Sequence, residues 1–233
     1  MDVKDAEAVF ARYQEAAALH VTEKRVPKTN WNEEWEKHYD PIYVGDQVYI
    51  RASFHPAQPA YRHEILINPK MSFGTGHHAT THQMIAFQLE LPHADKAVLD
   101  AGSGTGILAV MAAKLGAARV EAFDIDPWCV ENGNENFALN GLADSLQMGL
   151  GTIREVPLRG PYDLLLANIN KNVLLDELPV YAALLAADGH LLLSGFYEED
   201  IPDLEAAAAE VQLKLLRKSV KDRWAALIFQ PYE

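Results

Sequence analysis

The sequence predicts an α/β protein: a doubly wound, mostly parallel seven-stranded sheet with an antiparallel C-terminal hairpin, preceded by a short N-terminal α+β appendage. From residue 97 onward, short β-prone runs alternate with segments of helical periodicity, as in strands joined by crossover helices. Two β-like runs at the end, 212–220 and 223–230, are joined by Lys221 and Asp222, which predicts a hairpin. Of the 233 residues 49% are hydrophobic, enough for one full-sized core.

The N-terminal part differs from the rest of the chain in its pattern of residue types. Residues 1–60 contain a helical pattern over 6–17, an aromatic segment that begins at Trp31, and short β-like runs at 42–44 and 47–51. Because this is too little for a comfortable independent domain, we expect residues 1–60 to pack on the main body or to be the remnant of a larger domain, that is, a partial or shortened N-terminal region.

Two further segments complete the predicted organisation. Residues 61–92 form a bridge, with a strand that ends at Pro69, a glycine-containing loop and a helix over about 81–91. Residues 93–233 form the main domain. Its predicted strands before the hairpin cover 97–100, 119–124, 144–148, 162–167 and 189–194. Its predicted helices cover 105–115, 127–139, 172–185 and 200–211.

A glycine loop follows the first strand of the main domain. An apolar run ends at Asp100, and glycines follow at positions 102, 104 and 106 before a helical pattern begins. A strand that feeds a glycine turn and then a helix lets a ligand approach bare backbone at a helix N-terminus. The spacing is not that of the dinucleotide fingerprint, whose third glycine would fall on Ile107. A carboxylate at the mouth of the loop suits a cationic ammonium and sulfonium better than a pyrophosphate, which favours S-adenosylmethionine over NAD.

Candidate cofactor residues come from this loop and from the end of the next strand. Asp100, Gly102 and Gly104 belong to the loop, and Asp124 lies 22 residues after Gly102, at the end of the second strand. An acid at that distance can accept hydrogen bonds from both ribose hydroxyls. Ile125, directly after it, is placed to border an adenine ring. Asp126 and Pro127 then predict the N-cap and first residue of a helix.

The loop from Phe73 to Thr81 is the most unusual segment of the chain. Its two glycines, threonines and histidines can fold over the cofactor and form one wall of a substrate slot, which makes Phe73, Thr75 and Thr81 cofactor-binding candidates. His77 and His78 are candidate proton acceptors, with bulk water as the alternative. His78 and His82 share a helical spacing, but no convincing third ligand accompanies them, so no metal site is predicted.

Asn168 follows the fourth strand of the main domain, at the sheet edge where open α/β folds bind ligands. Its side-chain carbonyl can hold an amine nitrogen and aim its lone pair at a methyl group, which makes Asn168 a catalytic candidate. The alternative is an asparagine that caps the following helix.

Net charge limits the classes of binding partner, and cysteine content indicates the redox compartment. A net charge of −13 argues against a large contact with a phosphate backbone and is compatible with a basic protein partner. The single cysteine, Cys129, fits a reducing compartment. Since no apolar run approaches 18 residues and no signal-peptide pattern opens the chain, we expect a cytoplasmic protein, without membrane contact and monomeric.

Four motifs, in this order, resemble one family. They are Met71-Ser-Phe-Gly-Thr-Gly-His-His-Ala-Thr-Thr81, Val98–Gly106, Asp124-Ile-Asp-Pro127 and Ala167-Asn-Ile169. Together they are similar to the ribosomal protein L11 methyltransferases (PrmA type), within the Rossmann-like S-adenosylmethionine-dependent methyltransferases, and the likeness spans about residues 25–233.

The resemblance implies an enzyme that methylates lysine ε-amines and the N-terminal α-amine of a large-subunit ribosomal protein. It also implies cofactor contacts at Thr81, Gly102, Asp124 and Asn168, and a substrate-recognising role for the N-terminal region. A small-molecule methyltransferase, an NAD oxidoreductase and a non-catalytic cofactor-binding module are the alternatives that the sequence leaves open.

Overall fold

The computed structural model describes residues 39–68, 70 and 72–232. The chain divides into two compact units, Met1–Tyr39 and Asp40–Glu233, and the account below concerns the second. The helical pattern over 6–17 and the aromatic segment at Trp31 lie outside the described residues.

The large sheet has seven strands, as predicted, and they lie in the order β6-β5-β4-β7-β8-β10-β9. The first five of that order pair in parallel, and β10 pairs antiparallel with both β8 and β9. The strands are β4 (Ala97–Ala101), β5 (Arg119–Asp124), β6 (Met148–Leu150), β7 (Tyr162–Asn168), β8 (Leu185–Tyr197), β9 (Leu213–Lys221) and β10 (Trp224–Pro231).

Two layers of helices cover the sheet, because successive strand residues point to opposite faces and both faces are apolar. Val98 packs into one buried cluster and Leu99 into the other. The first cluster receives α1 (Ala79–Glu90), α2 (Ile107–Lys114) and α3 (Pro127–Leu139). The second receives α4 (Lys171–Leu184) and α5 (Ile201–Glu210), which follows a short 3₁₀ turn over Glu198–Asp200.

A smaller three-stranded sheet precedes these elements. It contains β1 (Ile42–Val44), β2 (Val48–Arg51) and β3 (His63–Leu66), with β2 central, antiparallel to β1 and parallel to β3. Its apolar side chains join the first buried cluster of the large sheet. The Asn140 amide fastens β3 to the end of α3, accepting from the Leu66 N–H at 3.0 Å and donating to the Leu66 carbonyl at 2.7 Å.

Strands β1 and β2 pack on the main body, which is one of the two arrangements expected for the N-terminal region. The β-like runs at 42–44 and 47–51 were assigned to the N-terminal region, whereas their strands belong to the same compact unit as the large sheet. The second compact unit begins at Asp40, because the apolar faces of β1 and β2 are buried against the core of the main domain.

Two strands differ from their predicted positions. The strand expected over 144–148 begins only at Met148, because residues 142–146 form hydrogen-bonded turns with Leu146 buried beneath them. Strand β8 begins at Leu185, directly after α4, rather than at residue 189. The hairpin turn uses Asp222 and Arg223, both with positive φ, which places it one residue later than expected.

Candidate functional site

A cavity of about 410 Å³ lies at the carboxyl edge of the large sheet. Its wall includes residues that directly follow β4, β5 and β7, and Thr152 in the loop after β6, the positions where an open α/β sheet gathers its ligand contacts. Six of the nine predicted site residues line it: Phe73, Gly102, Gly104, Asp124, Ile125 and Asn168. The cavity wall does not include Thr75, Thr81 or Asp100.

The glycine loop is held in shape by backbone hydrogen bonds. The Ser103 N–H donates to the Phe123 carbonyl at 3.0 Å, and the Gly104 N–H donates to Asp124 Oδ2 at 2.8 Å. Gly104 has a φ of 57°, and a Cβ there would overlap the Phe73 carbonyl oxygen. The loop therefore needs glycine both for its conformation and for its contact with the segment that covers it.

Asp100 lies behind the glycine loop rather than at its mouth. Its Oδ2 accepts from the Ser103 hydroxyl and, at 3.1 Å, from the Ala109 N–H, so the carboxylate ties the loop to the first turn of α2. The side chain is 1% exposed, and this burial, together with the nearby charge of Asp124, raises its pKa to about 7. The geometry therefore gives Asp100 a supporting position, and direct contact with a cofactor stays a prediction.

Asp124 is placed as expected for an acceptor in the cavity. The carboxylate is 8% exposed and lines the wall, with Oδ1 accepting from the Asp126 N–H at 3.0 Å. Asp126 is the N-cap of α3 and Pro127 its first residue, as predicted. Each carboxylate oxygen has capacity for a further hydrogen bond, so two adjacent hydroxyls can be held. Ile125 beside it is 69% exposed and adds an apolar surface.

The loop before α1 lies directly on the glycine loop. The Thr105 N–H donates to the Phe73 carbonyl at 2.9 Å, and its hydroxyl donates to the Gly74 carbonyl at 2.5 Å. Phe73 thereby becomes a wall of the cavity. Thr75 faces elsewhere, within 3.2 Å of His77 Nδ1.

Asn168 ends β7 with its side chain in the cavity wall. Its Nδ2 donates to the Thr81 hydroxyl at 3.4 Å, which gives the buried Thr81 an orienting position behind the wall. Among the described residues its Oδ1 has no hydrogen-bond partner although it is buried. The alternative role as a helix cap falls to Asn170, whose Oδ1 accepts from the Val173 N–H at 3.2 Å.

An aromatic rim borders the Asn168 side of the cavity. The imidazole of His78 lies between Phe73 and Trp224, with ring centroids 5.3 and 4.5 Å away, and Tyr197 continues the row 4.2 Å from Trp224. Sequence analysis missed Trp224, which opens β10 opposite Tyr197. No local pattern reveals it, because the hairpin reaches the cavity only through the strand order of the sheet.

Neither candidate histidine has a free basic nitrogen directed at the cavity. His78 Nδ1 accepts from the Thr80 N–H at 3.4 Å, so the neutral ring carries its proton on Nε2. Burial also lowers the pKa of His78. His77 Nε2 lies 3.0 Å from the Asp40 carbonyl, to which it must donate. In the part of the chain that the structure describes, no three His, Cys, Asp or Glu residues form a metal-binding group.

The cavity suits a cofactor with an adenosine and a cationic sulfonium. The glycine loop leaves bare backbone at Gly102 and Gly104, and Asp124 and Asn168 Oδ1 supply acceptors. Among the described residues of the wall there is no lysine or arginine that would bind a phosphate. This strand order with a glycine loop after its central strand defines the S-adenosylmethionine-dependent methyltransferases, and S-adenosylmethionine is the cofactor.

Comparison with known proteins identifies the family within this class of methyltransferases. The family model described as ribosomal protein L11 methyltransferase (PrmA) matches residues 2–231. A ribosomal protein L11 methyltransferase of Porphyromonas gingivalis is 46% identical over 208 residues, which cover 88% of this chain and 71% of the relative. The chain therefore belongs to the ribosomal protein L11 methyltransferase (PrmA) family.

Solved structures agree with this assignment. The ribosomal protein L11 methylase of Lactobacillus delbrueckii subsp. bulgaricus has a TM-score of 0.77 at 30% identity, over 84% of this chain and 100% of that chain. An RNA methyltransferase of Salinibacter ruber, solved with S-adenosyl-L-homocysteine, shares the fold with a TM-score of 0.52 at 21% identity, over 65% of this chain and 92% of its own. No helix among the described residues is long and apolar enough to span a membrane.

Proposed function

We propose that the protein methylates amines of ribosomal protein L11, at lysine side chains, at the N-terminal α-amine, or at both. The observation that carries this proposal is Asn168 Oδ1, a buried acceptor with no described partner at the cavity wall. A neutral amine has N–H groups to donate to such an acceptor and a lone pair to direct elsewhere. Substrate identity is supported by the names of the relatives.

Asn168 acts by orientation. Its amide nitrogen donates to the Thr81 hydroxyl, which leaves Oδ1 as the side-chain atom available to an amine. An amine that donates to Oδ1 is held with its lone pair turned away from Asn168. When bound, S-adenosylmethionine supplies an already activated methyl group, so the protein contributes mainly position.

The aromatic rim gives the acceptor chain an apolar path to Asn168. Phe73, His78 and Trp224 offer ring surfaces against which the methylene groups of a lysine can pack. The same surface excludes water, which lowers the pKa of an amine that enters it. Since neither His77 nor His78 presents a free nitrogen, we infer that the amine loses its proton to bulk water.

Substrate recognition is the second part of the proposal. We assign it to the N-terminal region, residues 1–60, on the family resemblance, with the methyltransferase unit supplying the chemistry. The net charge of −13 complements a basic ribosomal protein. We further propose that the protein acts as a monomer in the cytoplasm, and its negative charge argues against nucleic acid in the complex.

The test combines product identification with one variant. Incubating ribosomal proteins with the protein and isotopically labelled S-adenosylmethionine, followed by mass spectrometry, should place label on L11 amines. Asn168→Ala should lower the single-turnover rate by about tenfold or more, because a hydrogen bond of this kind contributes on the order of 1–2 kcal/mol to orientation.

Asn172→Ala is the matched control, since Asn172 is exposed in the first turn of α4 and lies outside the cavity wall. Full single-turnover activity of Asn168→Ala would contradict the role of Asn168. Label on a metabolite but on no ribosomal protein would favour the small-molecule alternative, and cofactor binding with no transfer would favour a non-catalytic module.

A further inference from the structure

Glu177 is a buried carboxylate in the cavity wall that the proposed reaction does not use. It is 7% exposed and lies on α4, one turn beyond Val173, which also lines the wall. Of the described side chains in that wall, only Glu177 and Asp124 are acidic. Burying a charged group is costly unless it has partners, so a carboxylate at this position requires an explanation.

One oxygen of Glu177 is already satisfied. Its Oε2 accepts a hydrogen bond from the hydroxyl of Tyr181, one turn further along α4. Tyr181 is fully buried in the second cluster, and burial raises its pKa, so the hydroxyl keeps its proton. This bond fixes the carboxylate and leaves Oε1, which has no partner among the described residues, as an acceptor toward the cavity.

The position of Glu177 along the cavity follows from its neighbours. Asp176 pairs with Arg154, whose Nη1 lies 3.0 Å from Asp176 Oδ2. Arg154 belongs to the loop after β6, where Thr152 lines the wall. The charge of Arg154 also acts on the Tyr181 hydroxyl that holds Glu177, so the loop after β6 approaches α4 near Glu177. Asn168 lies at the end of β7, on the other side of the central strand β4.

The cofactor determines which chemical group lies beside the loop after β6. If Asp124 at the end of β5 holds the ribose, the base extends past it toward β6. The apolar side chains of Ile125, Ile169 and Val173 in the wall suit the faces of a flat ring. An adenine presents one exocyclic donor, its 6-amino group, and an ionised carboxylate is an acceptor only.

We propose that Glu177 Oε1 accepts a hydrogen bond from the 6-amino group of adenine and makes the site selective for adenine over a 6-oxo purine. The inference rests on the ribose position assigned to Asp124 and is independent of which amine is methylated. In a 6-oxo purine, the oxygen at position 6 would face the carboxylate oxygen. Both are acceptors, so no hydrogen bond could form between them.

The test measures binding alone. Calorimetry compares S-adenosylhomocysteine with its inosine counterpart, in which the 6-amino group is replaced by oxygen. The wild-type protein should prefer the adenosine compound by about tenfold or more, since hydrogen bonds to charged groups are the stronger ones. In Glu177→Gln this preference should fall about tenfold, because the new amide can donate to the 6-oxo oxygen while Tyr181 keeps an acceptor.

Asp176→Asn is the matched control, because it removes the same charge from the neighbouring, exposed position and should leave the preference unchanged. An equal loss of affinity for both compounds in Glu177→Gln would overturn the proposal, since it would place the carboxylate on the ribose or the amino-acid part. Equal affinity of the wild-type protein for the two compounds would overturn it without any variant. Since no methyl transfer is measured, failure here leaves the proposed amine methylation separately testable.

Discussion

Asp100 and Asp124 show how position separates two residues of the same type. Both are buried carboxylates at or near the ends of neighbouring strands. Asp124 lines the cavity, whereas Asp100 supports the glycine loop from behind through Ser103 and Ala109. The first is therefore placed for a ligand, and the second for the shape of the loop that the ligand contacts.

The raised pKa of Asp100 predicts a pH-dependent stability. Its pKa rises from an ordinary 3.8 to about 7 on folding, so between these values the native state holds a proton that the unfolded state lacks. The free energy of unfolding should fall across this window as pH rises, and the loss is complete above about pH 7, with a size on the order of a few kcal/mol.

Asp100→Asn measures this effect. The variant cannot ionise, so urea denaturation at several pH values should show its free energy of unfolding falling less steeply than that of the wild-type protein between about pH 4 and pH 7. Asp144→Asn, at an exposed turn, is the control and should keep the wild-type slope. Parallel slopes for Asp100→Asn and the wild-type protein would contradict the raised pKa.

Residues at the carboxyl ends of strands could be predicted from the sequence. Gly102, Asp124 and Asn168 each come after an apolar β-prone run, and parallel strands bring such positions to one edge. Trp224 and Glu177 could not, because each reaches the cavity through the packing of a distant element. The sequence correctly assigns Asp100 to the glycine loop but predicts that its side chain lies at the mouth of the loop. Spacing alone does not show on which side of the backbone a side chain lies.

At the scale of elements, the first turn of α3 joins the sheet edge to the cavity. Asp126 caps the helix and accepts from the Trp128 N–H at 2.9 Å, which sets the start of α3 beside Asp124. Cys129, in the same turn, lines the cavity and is partly buried. Burial also raises the pKa of its thiol.

Alkylation of Cys129 should therefore report occupancy of the cavity. At about pH 8, where a larger thiolate fraction forms, saturating S-adenosylhomocysteine should slow labelling by about tenfold or more, because a bound ligand covers the thiol. The rate is followed by intact-protein mass spectrometry. Cys129→Ser should take no label, and NAD at the same concentration should give no protection. An unchanged rate with saturating S-adenosylhomocysteine would place the ligand elsewhere.

Element boundaries were predicted well where local chemistry marks them. The α3 start at Asp126 and Pro127 is such a case, since a cap and a proline have strong positional preferences. The strand expected over 144–148 was misplaced because Leu146 is apolar for a tertiary reason: it is buried beneath a turn. The compact unit begins at Asp40, before the predicted division after residue 60, since the burial of β1 and β2 depends on a core formed by later elements.

At the scale of the whole molecule, the two ends of the cavity have different origins. One end of the cavity is formed at the carboxyl ends of β4, β5 and β6, by the glycine loop, Asp124 and Thr152. The other end is the aromatic rim, which combines the loop before α1 with the C-terminal hairpin. Cofactor binding and acceptor binding are thus assigned to separate parts of the compact unit Asp40–Glu233.

A variant that starts at Asp40 tests the proposed division of labour. Because Asp40–Glu233 is compact by itself, the variant should bind S-adenosylhomocysteine within about twofold of the full chain by calorimetry. Methyl transfer to intact L11 should fall by at least about tenfold, since recognition is assigned to the N-terminal region. Undiminished transfer would show that the compact unit recognises its substrate without residues 1–39.

The hairpin that carries Trp224 is the last part of the sheet to be synthesised, and β9 forms the outer edge. Edge hairpins tolerate replacement better than central strands, because only one neighbour depends on their hydrogen bonds. A lineage could therefore exchange the turn between β9 and β10, with Trp224 beside it, and acquire a different methyl acceptor while its cofactor chemistry stayed intact.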